Sequence, residues 1–166
     1  YRVQGIPASV VVAIASGAVE MIFRHIVFDK GRNLFSLNLA KNAKSSEIIL
    51  CEGYMDVIAL HQAGFSNAVA TLGTALTTDQ ARLMSRYAKE VVICYDADEA
   101  GQKATARAIP MLRDAGLLVK VLNIVGGKDP DEYIRSYGEQ GPARFKQLLD
   151  ACGNDVEYRL AKIRRS

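Results

Sequence analysis

Four short apolar runs mark the chain from residue 46 onward, and longer amphipathic stretches separate them. The runs cover residues 48–51 (Ile-Ile-Leu-Cys), 67–72, 90–95 and 118–125. The third is mostly β-branched, flanked by charge and too short for a helix, which suits a strand buried on both faces. Between the runs, helices are expected over 53–63, 78–87 and 99–115. Strands alternating with helices of about ten residues or more imply βαβ units. The expected fold is therefore α/β, with a doubly wound, mainly parallel four-stranded sheet and helices on both faces. Ahead of the first strand, residues 28–35 look like a turn feeding a helix to about residue 43, with Lys41 and Lys44 near its C-terminus. Behind the last strand, residues 126–132 form a Gly-rich turn, and helices are expected over 141–151 and 154–163.

Composition narrows the class without changing this outline. At 166 residues, with 49% apolar and 23% charged, the chain is long enough for one soluble domain with a real core. A net charge of +3 permits a phosphate-rich partner without requiring one. The three cysteines, Cys51, Cys94 and Cys152, are odd in number, and two fall in expected strands. That argues for a reducing, cytoplasmic setting with neither a disulfide framework nor a zinc knuckle. Tyr1 is not a methionine, so the chain reads as a piece of something longer. Residues 1–27 stand apart as an atypical leader. Over 5–23 Glu20 is the only acid, and the length approaches a membrane span, while Ala13 to Ala15 offers a small-x-small cleavage pattern. Pro7, Ser9 and Ser16 dilute the run, so a strand and turn docked on the core, or a leader, is preferred to a membrane segment.

Candidate chemistry sits where the strands end. Asp96 and Asp98 follow the third run one residue apart, so in extended backbone both side chains leave the same side. Carboxyl ends of strands are where open α/β sheets place their ligands. Glu52 follows the first run in the same way, and Asp129 and Asp131 repeat the Asp-x-Asp spacing after the fourth. Close carboxylates repel unless a hard cation holds them, and oxygen donors without a histidine cluster favour Mg²⁺ or Mn²⁺ over zinc. Two such cations suit phosphoryl or nucleotidyl transfer. The structural alternative makes Asp96 and Asp98 a solvated turn and a helix cap, and Pro130 makes Asp131, ahead of Asp129, a candidate N-cap. Lys103, one turn into the helix after Asp98, is placed to meet a phosphate or to serve as an ordinary exposed lysine. His61 reads as a packing or surface residue, and His25 carries no role. Arg159, Lys162, Arg164 and Arg165 make a basic end, a solvated face before it is a nucleic-acid contact.

Glu52-Gly-Tyr-Met-Asp56, Thr71-Leu-Gly-Thr-Ala75, Asp96-Ala-Asp98-Glu-Ala-Gly101 and Asp129-Pro-Asp-Glu132 together resemble the successive motifs of a Toprim domain. More narrowly they resemble the catalytic core of a bacterial DnaG-type DNA primase, and Asp29-Lys-Gly-Arg-Asn-Leu-Phe35 resembles the basic segment preceding Toprim there. The resemblance implies a basic segment and helix over 28–45, a Toprim domain over 46–138, and the start of a helical subdomain over 139–166. It implies template-directed synthesis of short RNA primers on single-stranded DNA from ribonucleoside triphosphates, with a 3′-hydroxyl attacking an α-phosphate and pyrophosphate leaving. Carried over, Glu52 is a metal ligand or the acid/base group, Asp96 a ligand shared by two metals and Asp98 a ligand of the second. Asp129 and Asp131 extend the acidic patch, Asp56 supports it, and Lys30, Arg32 and Lys103 face triphosphate or template. The family's zinc-binding domain and the domain that engages the replicative helicase lie outside these residues, so weak activity is expected of this piece alone. Two rivals share the acids: another Toprim enzyme, such as a topoisomerase or nuclease, and a haloacid-dehalogenase-like phosphatase. The latter wants Thr or Val where Ala100 stands. A non-catalytic nucleic-acid-binding module is the third reading.

Overall fold

A computed structural model describes residues 29–124 and 129–154. The leader, the glycines and lysine at 126–128 and the helix expected over 154–163 lie outside these, apart from Asn154. Four strands, β1 (Glu47–Cys51), β2 (Ala68–Ala70), β3 (Glu90–Cys94) and β4 (Leu118–Val121), form one sheet in the order β2-β1-β3-β4. Every strand pair is parallel, with Ile49 facing Val92 across β1 and β3, and Val92 facing Lys120 across β3 and β4. Both outer strands are closed by a single antiparallel bridge, Phe35 to Ala70 on β2 and Asn154 to Lys120 on β4. Such bridges cover edges that would otherwise offer free amides and carbonyls.

The side-chain alternation of each strand feeds two cores. Ile48, Leu50, Val69, Val91 and Ile93 point to one face, where they meet α3 (Thr78–Met84), α4 (Glu99–Asp114) and the short α1 (Leu37–Ala40). Ile49, Cys51, Ala68, Val92 and Cys94 point to the other, under α2 (Tyr54–Gln62), α5 (Pro130–Ser136) and α6 (Gly141–Asp150). Phe145 of α6 is fully buried there and stacks edge-on with Phe65 at 5.1 Å. The expected doubly wound sheet with helices on both faces is what forms. Cys51 and Cys94 are buried and free. Among the described residues no helix is long and apolar enough to cross a membrane.

Four boundaries differ from expectation. The helix expected to run to residue 43 is only Leu37–Ala40. Phe35 is held extended by its two backbone bonds to Ala70, and Ser36 adopts a left-handed φ of 64°, so helical backbone begins only after it. The second and fourth strands stop at Ala70 and Val121, shorter than the apolar runs containing them. Finally, Asp129 rather than Asp131 caps α5, its Oδ1 accepting from the Glu132 amide at 2.7 Å. Proline at the first helical position makes the residue before it the cap.

Candidate active site

The strand order places a topological switch between β1 and β3: from β1 the chain crosses to β2 on one side, then returns to β3 on the other. Loops leaving adjacent parallel strands in opposite directions open a crevice at their carboxyl ends. Glu52 stands at the tip of β1, and Asp96 and Asp98 at the tip of β3, facing each other across that crevice.

Helix starts fix the side chains. Asp98 is the N-cap of α4, and its Oδ1 accepts from the Gly101 amide at 2.8 Å, which orients the carboxylate and leaves the second oxygen available. Gly101 is where α4 meets the β3 tip: a Cβ there would lie 2.1 Å from the Asp96 carbonyl oxygen. Only glycine allows the helix N-terminus this close to the backbone of the first acid. Asp129 is fixed by its own cap bond, and Asp131 in the same turn pairs with Arg135 at 3.3 Å. Asp56, on the first turn of α2, is 8% exposed, and its carboxylate faces the backbone amides of Gly53 and Asp131. That carboxylate thus ties the β1–α2 turn to α5 and brings Asp129 toward the crevice.

Titration behaviour locates the acids relative to one another. Burial first, then the charges of Asp96 and Asp98, push Glu52 above the ordinary carboxylate range. Asp96 is pushed the same way by burial, Asp129 and Asp98. Asp56 is pushed up to about 6 by burial, Asp129 and Asp96, with the two facing amides opposing. Among the described residues, no lysine or arginine is one of the groups acting on these three. The loops therefore bring Glu52, Asp56, Asp96, Asp98 and Asp129 into one field of negative charge. Asp131, half turned to Arg135, is the member of the expected set least engaged with it.

Among the described residues no three such side chains converge into a ready-made metal cage. The donor set nevertheless fits a hard divalent cation: it is all oxygen, no lysine or arginine among the described residues acts on Glu52 or Asp96, and burial followed by the neighbouring carboxylates raises the proton affinity of those two. Three helices, α2, α4 and α5, also begin at this rim, and their N-terminal dipoles temper the repulsion.

The model of the family described as Toprim-like matches residues 49–134. The chain belongs to that family. Among curated relatives, the DNA primase of Clostridium acetobutylicum is 51% identical over 135 residues, covering 81% of this chain and 22% of that protein. The chain thus spans about a fifth of the length of that relative. Among solved structures, the Aquifex aeolicus primase (zinc-binding and RNA polymerase domains) superposes with a TM-score of 0.76 at 41% identity, covering 85% of this chain and 35% of that one. A DnaG primase catalytic domain bound to single-stranded DNA gives 0.69 at 34% identity, covering 78% and 41%. Toprim-like membership sets aside the dehalogenase-like phosphatase. The four-stranded parallel sheet and its flanking helices are those of a DnaG-type Toprim core.

The expected basic residues are distributed unevenly. Arg32 is bonded through Nε to Asp79 at 3.0 Å, so it is tied to the scaffold. Lys103 pairs with Glu99 at 2.5 Å on the surface of α4. Lys30 is exposed. What holds the Lys30-Gly-Arg32 turn is a residue the sequence pattern passed over: Gln80, fully buried, donates through Nε2 to the carbonyls of Lys30 at 2.9 Å and Asn33 at 2.7 Å. Its signal was present as a capping box, Thr77 and Gln80 bonding reciprocally at the start of α3. His61 is a packing residue as expected, its Nε2 lying 3.0 Å from the Ala68 carbonyl oxygen and 3.3 Å from Ser36 Oγ.

Proposed function

We propose that this chain is the catalytic Toprim part of a DNA primase, a nucleotidyltransferase that extends RNA primers on a single-stranded DNA template in the cytoplasm. The observation that carries this reading is the gathering of Glu52, Asp96, Asp98 and Asp129 from three separate loops at the switch point, with no lysine or arginine among the described residues acting on Glu52 or Asp96. Such an acidic crevice is suited to substrates that arrive with divalent cations, and ribonucleoside triphosphates do so.

Glu52, Asp96 and Asp98 would hold Mg²⁺ or Mn²⁺, two or more ions, with Asp129 and Asp131 extending the patch and Asp56 positioning it. When bound, the cations supply charge to activate the attacking hydroxyl and to offset the departing pyrophosphate. The chain's own groups do the rest. Asp98, locked by its cap bond, presents one oxygen in a fixed direction. Glu52, whose proton affinity is raised, serves as a ligand or takes the proton of the attacking 3′-hydroxyl on its carboxylate. Lys30, exposed on the turn clamped by Gln80, is placed to meet triphosphate or template. Because the chain spans only part of its relatives, weak activity is expected of it alone, and contact with a replicative helicase would belong to regions beyond it.

Titration with Mn²⁺, followed by electron paramagnetic resonance, tests the reading. Binding should weaken by about tenfold or more in Asp96→Asn and in Asp98→Asn, each checked for retained fold, as expected for loss of a charged ligand. Equal binding in both variants and the parent would remove the basis for nucleotidyl transfer.

A further inference from the structure

A cleft of about 430 Å³ opens beside the acids, on the α3–α4 face of the sheet. Glu52 belongs to both the crevice and this cleft. From Glu52 the wall continues through Thr71 and Thr74 of the β2–α3 turn to Tyr95 at the β3 tip and Arg107 of α4. Ala100, Ala104 and Met111 of α4 supply an apolar side.

Two of these groups lack the partners their burial demands. Thr71 is 6% exposed and Tyr95 8%, yet neither hydroxyl has a hydrogen-bond partner among the described residues. Buried hydroxyls are ordinarily satisfied, and leaving one unmet costs free energy. Strand alternation puts Thr71 on the same face as Val69, where the cleft lies. Arg107 is exposed at the mouth of the cleft and has no ion pair among the described residues, whereas Lys103, one turn earlier on α4, is paired with Glu99. An apolar wall with unmet hydroxyls and one open guanidinium is what a flat, polar-edged ring and a hydroxylated sugar would satisfy.

We propose that this cleft seats the sugar and the face of the base of a ribonucleotide whose phosphates lie toward the acids. Thr71 and Thr74 meet the sugar hydroxyls, the base lies along the α4 wall, and Arg107 closes the outer side. The assignment rests on the acidic crevice being the triphosphate site, and it adds which side of that crevice the nucleoside occupies. A base lying flat on the wall keeps its pairing edge open, as templated addition requires.

Two probes separate this assignment from the one beneath it. In the presence of Mn²⁺, tripolyphosphate reports the acids alone, whereas ATP reports the acids and the cleft. ATP should bind about tenfold or more tighter than tripolyphosphate, the order expected from one or two added hydrogen bonds plus burial of one ring face. Thr71→Val and Arg107→Gln, the first isosteric and the second on an exposed position, should each remove several-fold of that advantage while leaving tripolyphosphate affinity unchanged. The cleft assignment is overturned if ATP and tripolyphosphate bind equally, or if ATP keeps its full advantage in both variants. Failure of both ligands to bind would sink the acidic site and the cleft together.

Discussion

Replacing Gly101 with alanine should reverse the usual effect of that change in a helix. Alanine normally favours a helix interior over glycine by about 1 kcal/mol. Here the new Cβ would lie 2.1 Å from the Asp96 carbonyl oxygen, 2.9 Å from its carbon and 3.1 Å from its nitrogen. The obstacle is backbone at the end of a buried strand, so no rotamer change relieves it, and α4 must retreat by about 1 Å to restore contact distance. Overpacking of this kind costs about 1–3 kcal/mol with flexible neighbours, and the rigid neighbour puts Gly101→Ala at the upper end. After the helix-propensity gain the net loss is about 2 kcal/mol, or a melting temperature lower by about 4–8 °C for a chain of this size. Thermal unfolding followed by circular dichroism measures it. The reverse swap at exposed Ala106 of the same helix, Ala106→Gly, should lose about 1 kcal/mol from propensity alone. Retreat of α4 also carries Asp98 away from Glu52, so Mn²⁺ affinity should fall with stability. A Gly101→Ala protein as stable as the parent, with Mn²⁺ binding intact, would refute close approach of the helix as the device that sets the two acids.

Other consequences follow from the same contacts. Gln80→Ala leaves the Lys30 and Asn33 carbonyls without their buried donor and should cost about 3 kcal/mol. Amide exchange at Gly31 and Arg32 should then quicken, where a purely local cavity would leave it unchanged. Glu47, across from Glu90 in register at the opposite end of the sheet, is pushed up to about 7 by burial, by its hydrogen bond with Glu90 and by that residue's charge, while Lys120 partly opposes. Between its unfolded value near 4.5 and its folded value, the folded state holds the extra proton, so stability falls as pH rises through that window. Glu47→Gln should therefore unfold at higher urea than the parent at pH 8, by about 1 kcal/mol after allowance for solvent screening, and match it near pH 4. Asp129→Asn keeps an acceptor at the α5 cap but removes a charge that acts on both Asp56 and Asp96. Carboxyl carbon NMR should show both titrating at lower pH than in the parent, and unchanged midpoints would mean Asp129 lies farther from the crevice than described.

By itself the sequence determined which segments become strands and helices and that the first and third strands run into acids, Glu52 and Asp96. Both follow from periodicity within a few residues: runs such as Ile48 to Cys51 are too short and apolar for anything but a buried strand. The cap roles of Asp98 and Asp129 are equally local: proline at position 130 takes the first helical position and leaves the cap to Asp129, not to the expected Asp131. The tertiary structure alone decided the strand order, and with it that β1 and β3 become neighbours whose loops diverge to open the crevice. It alone shortened the first helix, because Phe35 is claimed by Ala70 on a strand far along the chain. Burial of Gln80 beneath the basic turn, and the joining of Thr71, Tyr95 and Arg107 in one cleft, likewise depend on elements meeting across the sheet. Local patterns set what each segment is. Which charges share a space is a property of packing, because fields and burial act through distance in the folded chain and not along it.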